Sequence, residues 1–594
     1  MAEARAADPR PMTAVDLIEV PRLSDPQLAP DGTQVLFTRS EASWKANRDI
    51  SHVYRVNADG TGLRPMTGGA EGESSPRWSP DGRRFAFLAK RSGAEANQIF
   101  LMDNDGGEAR ALTSHPTAVR NIQWARDGSG LFFLAAEART PAEKAKQETK
   151  DDVAALDEDT KQVHLWRAPL DGRKAVRVTE GDFSITQYSL SIDGRRLAVE
   201  RGPSPLFGDA EKGEVFVMDA DGAHAVQVTR NHVDESFPSL SPDGRSVLFV
   251  SSANAAGEPY YNGRAFVAPA DGGAPRLLAP DFPFAVERAL WSPDGLSVIL
   301  SANLGVHNEL FLLELATRRY RQLTDGHHEI IGASFAPVGG RFVILADEPS
   351  DPGELWLGSL EGAALRPVTH LFERYAREFK LGREERIEWK GADGVTVEGL
   401  LHYPADYEPG RRYPLVVQTH GGPRYSDRFS FGDWQGYVKV LAGRGYAVLQ
   451  PNYRGSTGYG DDFLRDMVGG YFRNSHLDVL AGVDKVVAMG VADPDRLIKM
   501  GWSAGGHMTN KLITFTDRFK AASSGAGAAN WISMYGQSDT REYRTPWFGG
   551  TPWQKDAPIG VYWDNSPLKY VANVKTPTLF LVGAQDVRVP PPQS

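Results

Sequence analysis

The chain has 594 residues, and 66 Lys and Arg against 76 Asp and Glu give a net charge of −10. This balance, with no basic tract, argues against nucleic acid or an anionic membrane as a partner. The absence of cysteine excludes disulfides, thiolate catalysis and Cys-ligated zinc or iron–sulfur clusters.

Residues 1–21 read as an N-terminal extension without the apolar heart of a signal peptide. No apolar run nears the roughly 18 residues of a membrane span. The chain therefore reads as cytoplasmic, or as periplasmic or secreted if a signal peptide has been removed.

Residues 22–370 are organised by repeats. A turn cassette, APDG or SPDG in its clearest copies, ends at Gly32, Gly82, Gly128, Gly194, Gly244, Gly295 and, in altered form, Gly339. Spacings of 50, 46, 66, 50, 51 and 44 residues separate the copies. Pro-Asp-Gly turns a chain by mechanism: Pro presets φ, Asp bonds back to the backbone and Gly takes φ > 0. An apolar stretch often ending in Trp (Trp78, Trp124, Trp291) precedes the turn, and a strand expected to alternate, such as VLFTRS or FAFLAK, follows it. A second cassette, such as QIFLMDNDG or ELFLLELAT, interleaves with the first seven times. Two hairpins in about 50 residues make one four-stranded blade, so the expectation is a seven-bladed β-propeller. The 66-residue spacing marks a charged insertion near 139–162 in the third blade, expected as a solvated loop or helix.

Residues 371–594 follow another grammar. PLVVQTHGGP, YAVLQPNYRG, RLIKMGWSAGG and TPTLFLVGAQD read as strands running into turns, with helices between them. Alternating strands and helices imply a parallel sheet, with chemistry at the carboxyl ends of its strands. Gly501-Trp502-Ser503-Ala504-Gly505 fits the G-x-S-x-G nucleophile elbow between strand and helix. Ser503 is the candidate nucleophile. The N–H groups of Gly422, in the HGGP turn, and of Ala504 are the candidate oxyanion hole. Asp586, closing the last strand, is the candidate acid, because chain order in such folds is Ser, acid, His. There is no HExxH, and the pair His327-His328 lacks helical spacing, so no metal and no cofactor is expected.

HGGP (420–423), PNYRGSTGYG (451–460), GWSAGGHMT (501–509) and DVRVP (586–590) together resemble the prolyl oligopeptidase family of serine peptidases, nearest its acylaminoacyl-peptidase and dipeptidyl-peptidase branch. The resemblance implies an N-terminal propeller and a C-terminal α/β-hydrolase domain. It implies cleavage of short peptides near their N-terminus through a Ser-Asp-His triad, with the propeller filtering substrates by size. Arg588 would hold a substrate carbonyl. Trp531, Met534, Trp547 and Phe548 would form an apolar slot, although core packing is the ordinary role of such residues. A dipeptidyl peptidase would also need a propeller carboxylate for the free amine, with Glu235 and Glu287 as candidates. Family members range from monomers to larger rings, so a homo-oligomer stays open.

The histidines end at His507, so the expected catalytic His is not in the sequence. His507 sits a turn beyond Ser503, His420 belongs to the HGGP turn, and His402 and His476 have no motif support as bases. The reading is a chain whose hydrolase domain is C-terminally incomplete, short of its last strand and helix. Two alternatives stand beside the peptidase: an esterase on the same machinery, and a non-catalytic propeller binding module if residue 594 is the true end.

Overall fold

The computed structural model describes residues 8–91, 93–151, 160–362, 364–432 and 436–594. Seven four-stranded antiparallel sheets follow one another from Arg22 to Pro367. Each is a blade made of one continuous stretch of chain. In all six of the intact turn cassettes the Asp carboxylate accepts the N–H two residues on, as at Asp81 to Arg83 (3.1 Å) and Asp243 to Arg245 (3.0 Å). The closing glycines lie at φ from 66° to 71°, where a Cβ would be strained.

The second strands do not alternate as expected. Arg84–Ala89 and Gly130–Ala136 are buried almost continuously. The reason is that both faces of a blade pack against neighbouring blades, so polar residues have no water-facing side to occupy. Two polar devices stitch blade to blade. The Trp before a turn donates its indole N–H to the preceding blade: Trp78 to Gln27 O, Trp124 to Arg77 O and Trp291 to Ser239 O, at 2.9 to 3.1 Å. The polar residue opening the second cassette accepts an N–H at the start of the next stretch, as Gln98 does from His115, Glu309 from Gly326 and Glu354 from Phe372. The ring closes without strand exchange, by Leu28 N–H to Ser334 Oγ (3.0 Å) and Arg366 to Ala58 O (2.9 Å). The third-blade insertion begins as helix Pro141–Glu148; residues 152–159 lie outside the described residues.

Buried carboxyls give the propeller a pH signature. Burial pushes Glu235 up to about 8 and Glu200 and Glu354 up to about 7. Each is ionised in the unfolded chain above its ordinary 4.5 but keeps its proton when folded. Their contribution is therefore complete below about pH 4.5 and is lost as pH rises toward 7 or 8. This share of the stability falls from about pH 5 to pH 8, against the rise that the buried neutral histidines give below about pH 6.5. The Glu235 share therefore shows as a difference: Glu235→Gln should make the change of stability with pH more positive than in wild type by up to about 1.4 kcal/mol per unit. Urea midpoints measured at pH 5 and pH 8 check this; an unchanged slope in the variant would contradict it.

The C-terminal part is built on a seven-stranded sheet: β1 Glu384–Lys390, β2 Thr396–His402, β3 Tyr413–Thr419, β4 Ala447–Asn452, β5 Ala492–Trp502, β6 Phe519–Gly525 and β7 Thr578–Leu581. Their order is β1-β2-β4-β3-β5-β6-β7, with β4 onward parallel. Helix α1, Ser475–Ala488, buries Val479, Val483 and Val486, a stripe at helical spacing. Helix α2, Ala504–Phe515, is buried along nearly its whole length. Leu579, Phe580 and Leu581 on the outer strand β7 are 44 to 58% exposed.

The propeller meets this domain through blades four to seven, with blades five and six giving several of the hydrogen bonds. Tyr260 donates to Tyr543 O (2.7 Å), Arg264 pairs with Asp461, and Asn303 donates to Ser426 and Thr457 (2.7 and 2.9 Å). The N-terminal extension crosses back as well: Arg10 and Pro11 pair in parallel with Phe379 and Lys380. No helix among the described residues is long and apolar enough to cross a membrane.

Candidate active site

Strand β5 delivers Ser503 to the carboxyl edge of the sheet, where α2 begins. Ser503 has φ 57° and ψ −119°, a strained conformation for a residue with a side chain. The glycines around it are demanded by space. A Cβ on Gly501 would lie 2.4 Å from Gly505 O, and one on Gly505 would lie 2.0 Å from Thr419 O. Strain at Ser503 is held by the strands beside it: Ser503 N–H donates to Gly525 O at 2.9 Å. Ala504 opens α2, so its N–H has no partner within the helix.

The HGGP turn runs alongside. A Cβ on Gly421 would come within 3.3 Å of Ser503 Cβ and 3.9 Å of its Oγ. Gly422 follows at φ 110°. The PNYRGSTGYG segment braces this turn from behind. Tyr453 Oη donates to His420 O (2.9 Å), Ser456 Oγ meets His420 Nε2 (2.9 Å), and the His420 ring stacks on Tyr453. Arg454 in turn is fixed by Asp478 of α1, at 2.9 and 2.8 Å. The motif is thus scaffold for the turn, a role its sequence did not disclose.

Asp586 follows β7, two strands from β5. Its Oδ1 accepts the N–H groups of Arg588 and Val589, both at 2.9 Å, which fixes the carboxylate's orientation. Arg588 is already engaged: it pairs with Asp539 (2.7 and 3.0 Å), and its guanidinium lies 3.8 Å over the ring of Phe207 from the propeller. From the sequence Asp539 is only a poorer candidate for the triad acid, with no strand ending before it; its pairing with Arg588, 49 residues on, is not legible there.

Trp531, Met534, Trp547 and Phe548 come together on helices α3 (Trp531–Gln537) and α4 (Arg541–Phe548), around Tyr471. They are 1 to 3% exposed in one core cluster, and Trp547 meets propeller Tyr260 edge-on. The structure draws an aromatic wall here in place of an open slot.

The described histidines near the site are committed elsewhere. His420 has both ring nitrogens bonded, Nδ1 lying 2.7 Å from Gly421 O, and burial pulls it down to about 4. His507 packs on Tyr471, Phe472 and Trp531 with Nδ1 against Ala528 O, and burial pulls it down to about 3. His402 is bound to Gln450, and His476 packs edge-on to Phe515. His327 stacks on Phe429, while His328 pairs with Glu309.

A cavity of about 440 Å³ opens between the two domains beside the HGGP turn. Asp234, Ser236 and Glu287 line it from the propeller; Arg424, Tyr425 and Tyr543 line it from the other side. Glu287 is taken by Arg428. Glu235 is fully buried against Thr229 and Asn231 and is not among the lining residues. Asp234 is the carboxylate left facing the cavity; burial raises it, and Arg424 works against that rise.

Comparison with known proteins agrees with this geometry. Residues 433–594 match the prolyl oligopeptidase family, and residues 74–237 match the prolyl oligopeptidase N-terminal β-propeller domain. The uncharacterized peptidase YuxL of Bacillus subtilis is 31% identical over 609 residues, covering 98% of this chain and 91% of that protein. Dipeptidyl-peptidase 5 of Porphyromonas gingivalis is 24% identical, over 96% of this chain and 86% of its own length. The Pyrococcus horikoshii acylaminoacyl peptidase structure superposes with a TM-score of 0.79 at 21% identity, covering 97% of this chain and 88% of that one; at that identity the likeness is one of fold.

Proposed function

The chain belongs to the prolyl oligopeptidase family and is a serine peptidase, and from that premise we propose that it cleaves short peptides near their N-terminus through an acyl-enzyme on Ser503. The observation carrying this reading is the strained Ser503 held against Gly421. Ser503 Oγ would attack the scissile carbonyl, its proton passing to the triad imidazole and from there to the leaving amine. The N–H groups of Gly422 and Ala504 would hold the developing oxyanion, and such preorganised donors are worth about 10²–10³ in kcat each. Collapse of the tetrahedral intermediate would expel the amine, and water would release the acyl group. Asp586, fixed by two N–H groups, would orient an imidazole and stabilise its charged form. No described histidine is placed to be that imidazole.

The substrate's N-terminal part would lie in the cavity between the domains. A free α-amine would find Asp234 there, whereas a blocked N-terminus would not use it. The side chain at the scissile residue would rest on the wall formed by Trp531, Met534, Trp547 and Phe548, which favours large apolar groups. The propeller would exclude folded proteins.

Relative rates on N-acylated aminoacyl anilides, free dipeptidyl anilides and matching esters test this reading. With a histidine completing the triad beside Asp586, hydrolysis of at least one anilide is expected; hydrolysis of esters alone would refute the reading. Arg588→Ala should lower kcat/KM on those anilides by about tenfold, the scale of one charge-assisted hydrogen bond. Its effect on stability should stay within about 1 kcal/mol, because the Arg588–Asp539 pair is only partly buried. An unchanged kcat/KM would remove Arg588 from the substrate site.

A further inference from the structure

Beneath the elbow lies a buried amine with no assigned part in the reaction. Lys499 stands two residues before Gly501 on β5, so both face α2. Its side chain has no solvent exposure. Its Nζ lies 2.7 Å from Thr419 Oγ1, 3.1 Å from Thr509 Oγ1 and 2.6 Å from Met500 O. No carboxylate forms an ion pair with it among the described residues. Both threonine hydroxyls donate onward to Gly505 O, at 3.1 and 2.9 Å. Their protons are spent there, which leaves their oxygens to accept from Nζ. The four groups close a ring.

We propose that Lys499 is a positioning residue for acyl transfer, clamping the end of β3 to the first turns of α2 and so setting the spacing of the two oxyanion donors around Ser503. The proposal rests on the peptidase reading above. Thr419 directly precedes His420-Gly421-Gly422, and Gly505 directly follows Ala504. The ring therefore joins the two segments whose separation defines the oxyanion hole. Space filling alone does not account for an amine at this position. A methionine would occupy similar volume without the cost of taking an amine out of water and away from any carboxylate. Burial pulls the amine below the usual lysine range, while the three oxygens around Nζ each accept one of the three N–H donors of its protonated form.

The clamp lies behind the donors and touches no substrate. Its loss should weaken stabilisation of the transition state and leave ground-state binding alone. The test uses the full-length protein with Lys499→Met. Its kcat and KM on an anilide substrate are divided by fluorophosphonate-titrated sites, with Tm measured alongside. The expected result is a kcat lower by about 10- to 100-fold, the scale of a misplacement near 1 Å. KM should stay within about twofold. The Thr419→Val/Thr509→Val double variant should show a similar loss, and adding Lys499→Met to it should cost less than about threefold more. A kcat per titrated site within about twofold of wild type would overturn the proposal, as would a fully additive loss in the valine background. Should Lys499→Met fail to fold, the valine variant alone decides, and an unchanged kcat overturns the clamp. A wild type that forms no fluorophosphonate adduct would bring down the peptidase reading and this proposal together. A reactive wild type beside an unaffected variant would bring down this proposal alone.

Discussion

Replacing Ser503 with alanine is expected to lower peptide hydrolysis by about 10⁴-fold or more, the scale at which a nucleophile's loss leaves only binding and oxyanion stabilisation. The folded state should be nearly indifferent. Alanine keeps the Cβ that already sits at φ 57°, and the Ser503 N–H bond to Gly525 O is a backbone bond. The variant should thus keep wild-type Tm and lose fluorophosphonate labelling. A Ser503→Ala protein that still hydrolyses anilides at more than about a hundredth of the wild-type rate would move the nucleophile elsewhere.

The largest loss of stability is expected from Asp478→Ala. Asp478 is fully buried and meets Arg454 through both carboxylate oxygens and a backbone N–H at 3.1 Å. Removing it would strand a guanidinium in the interior with Asp393, itself half-exposed, as its nearest remaining anion. Breaking such a buried pair from one side costs about 3–5 kcal/mol. The damage should also reach catalysis, because Tyr453 and Ser456, which flank Arg454, hold His420 and with it the HGGP turn. The urea midpoint of tryptophan fluorescence and kcat on an anilide should fall together. A loss below about 1 kcal/mol would mean that the pair is dispensable.

Legibility in the sequence followed the range of the interactions. Pro-Asp-Gly turns are written in four adjacent residues, so seven blades could be counted before any coordinates. The elbow was legible for the same reason, since Gly501 and Gly505 exclude side chains within five residues of Ser503. Long-range contacts were not. Lys499 reads as one polar residue in an apolar strand until Thr419, 80 residues away, is beside it. Asp539 reads as a loop acid until Arg588 reaches it. Glu287 is a candidate amine grip only through the resemblance to dipeptidyl peptidases, and Arg428 from the other domain takes it. The second strand of each blade was misread as alternating because period two assumes one wet face, and a stacked blade has none. The aromatic segment 531–548 was legible as apolar, while its close packing around Tyr471 is a property of the assembled core.

The most direct test of the account is to treat the protein with a fluorophosphonate and map the adduct by peptide mass analysis. One adduct per chain, on the peptide carrying Ser503 and absent after Ser503→Ala, is the predicted result. An adduct on another residue would contradict the assignment of Ser503 as the nucleophile, as would no adduct on folded protein in which a histidine completes the triad beside Asp586.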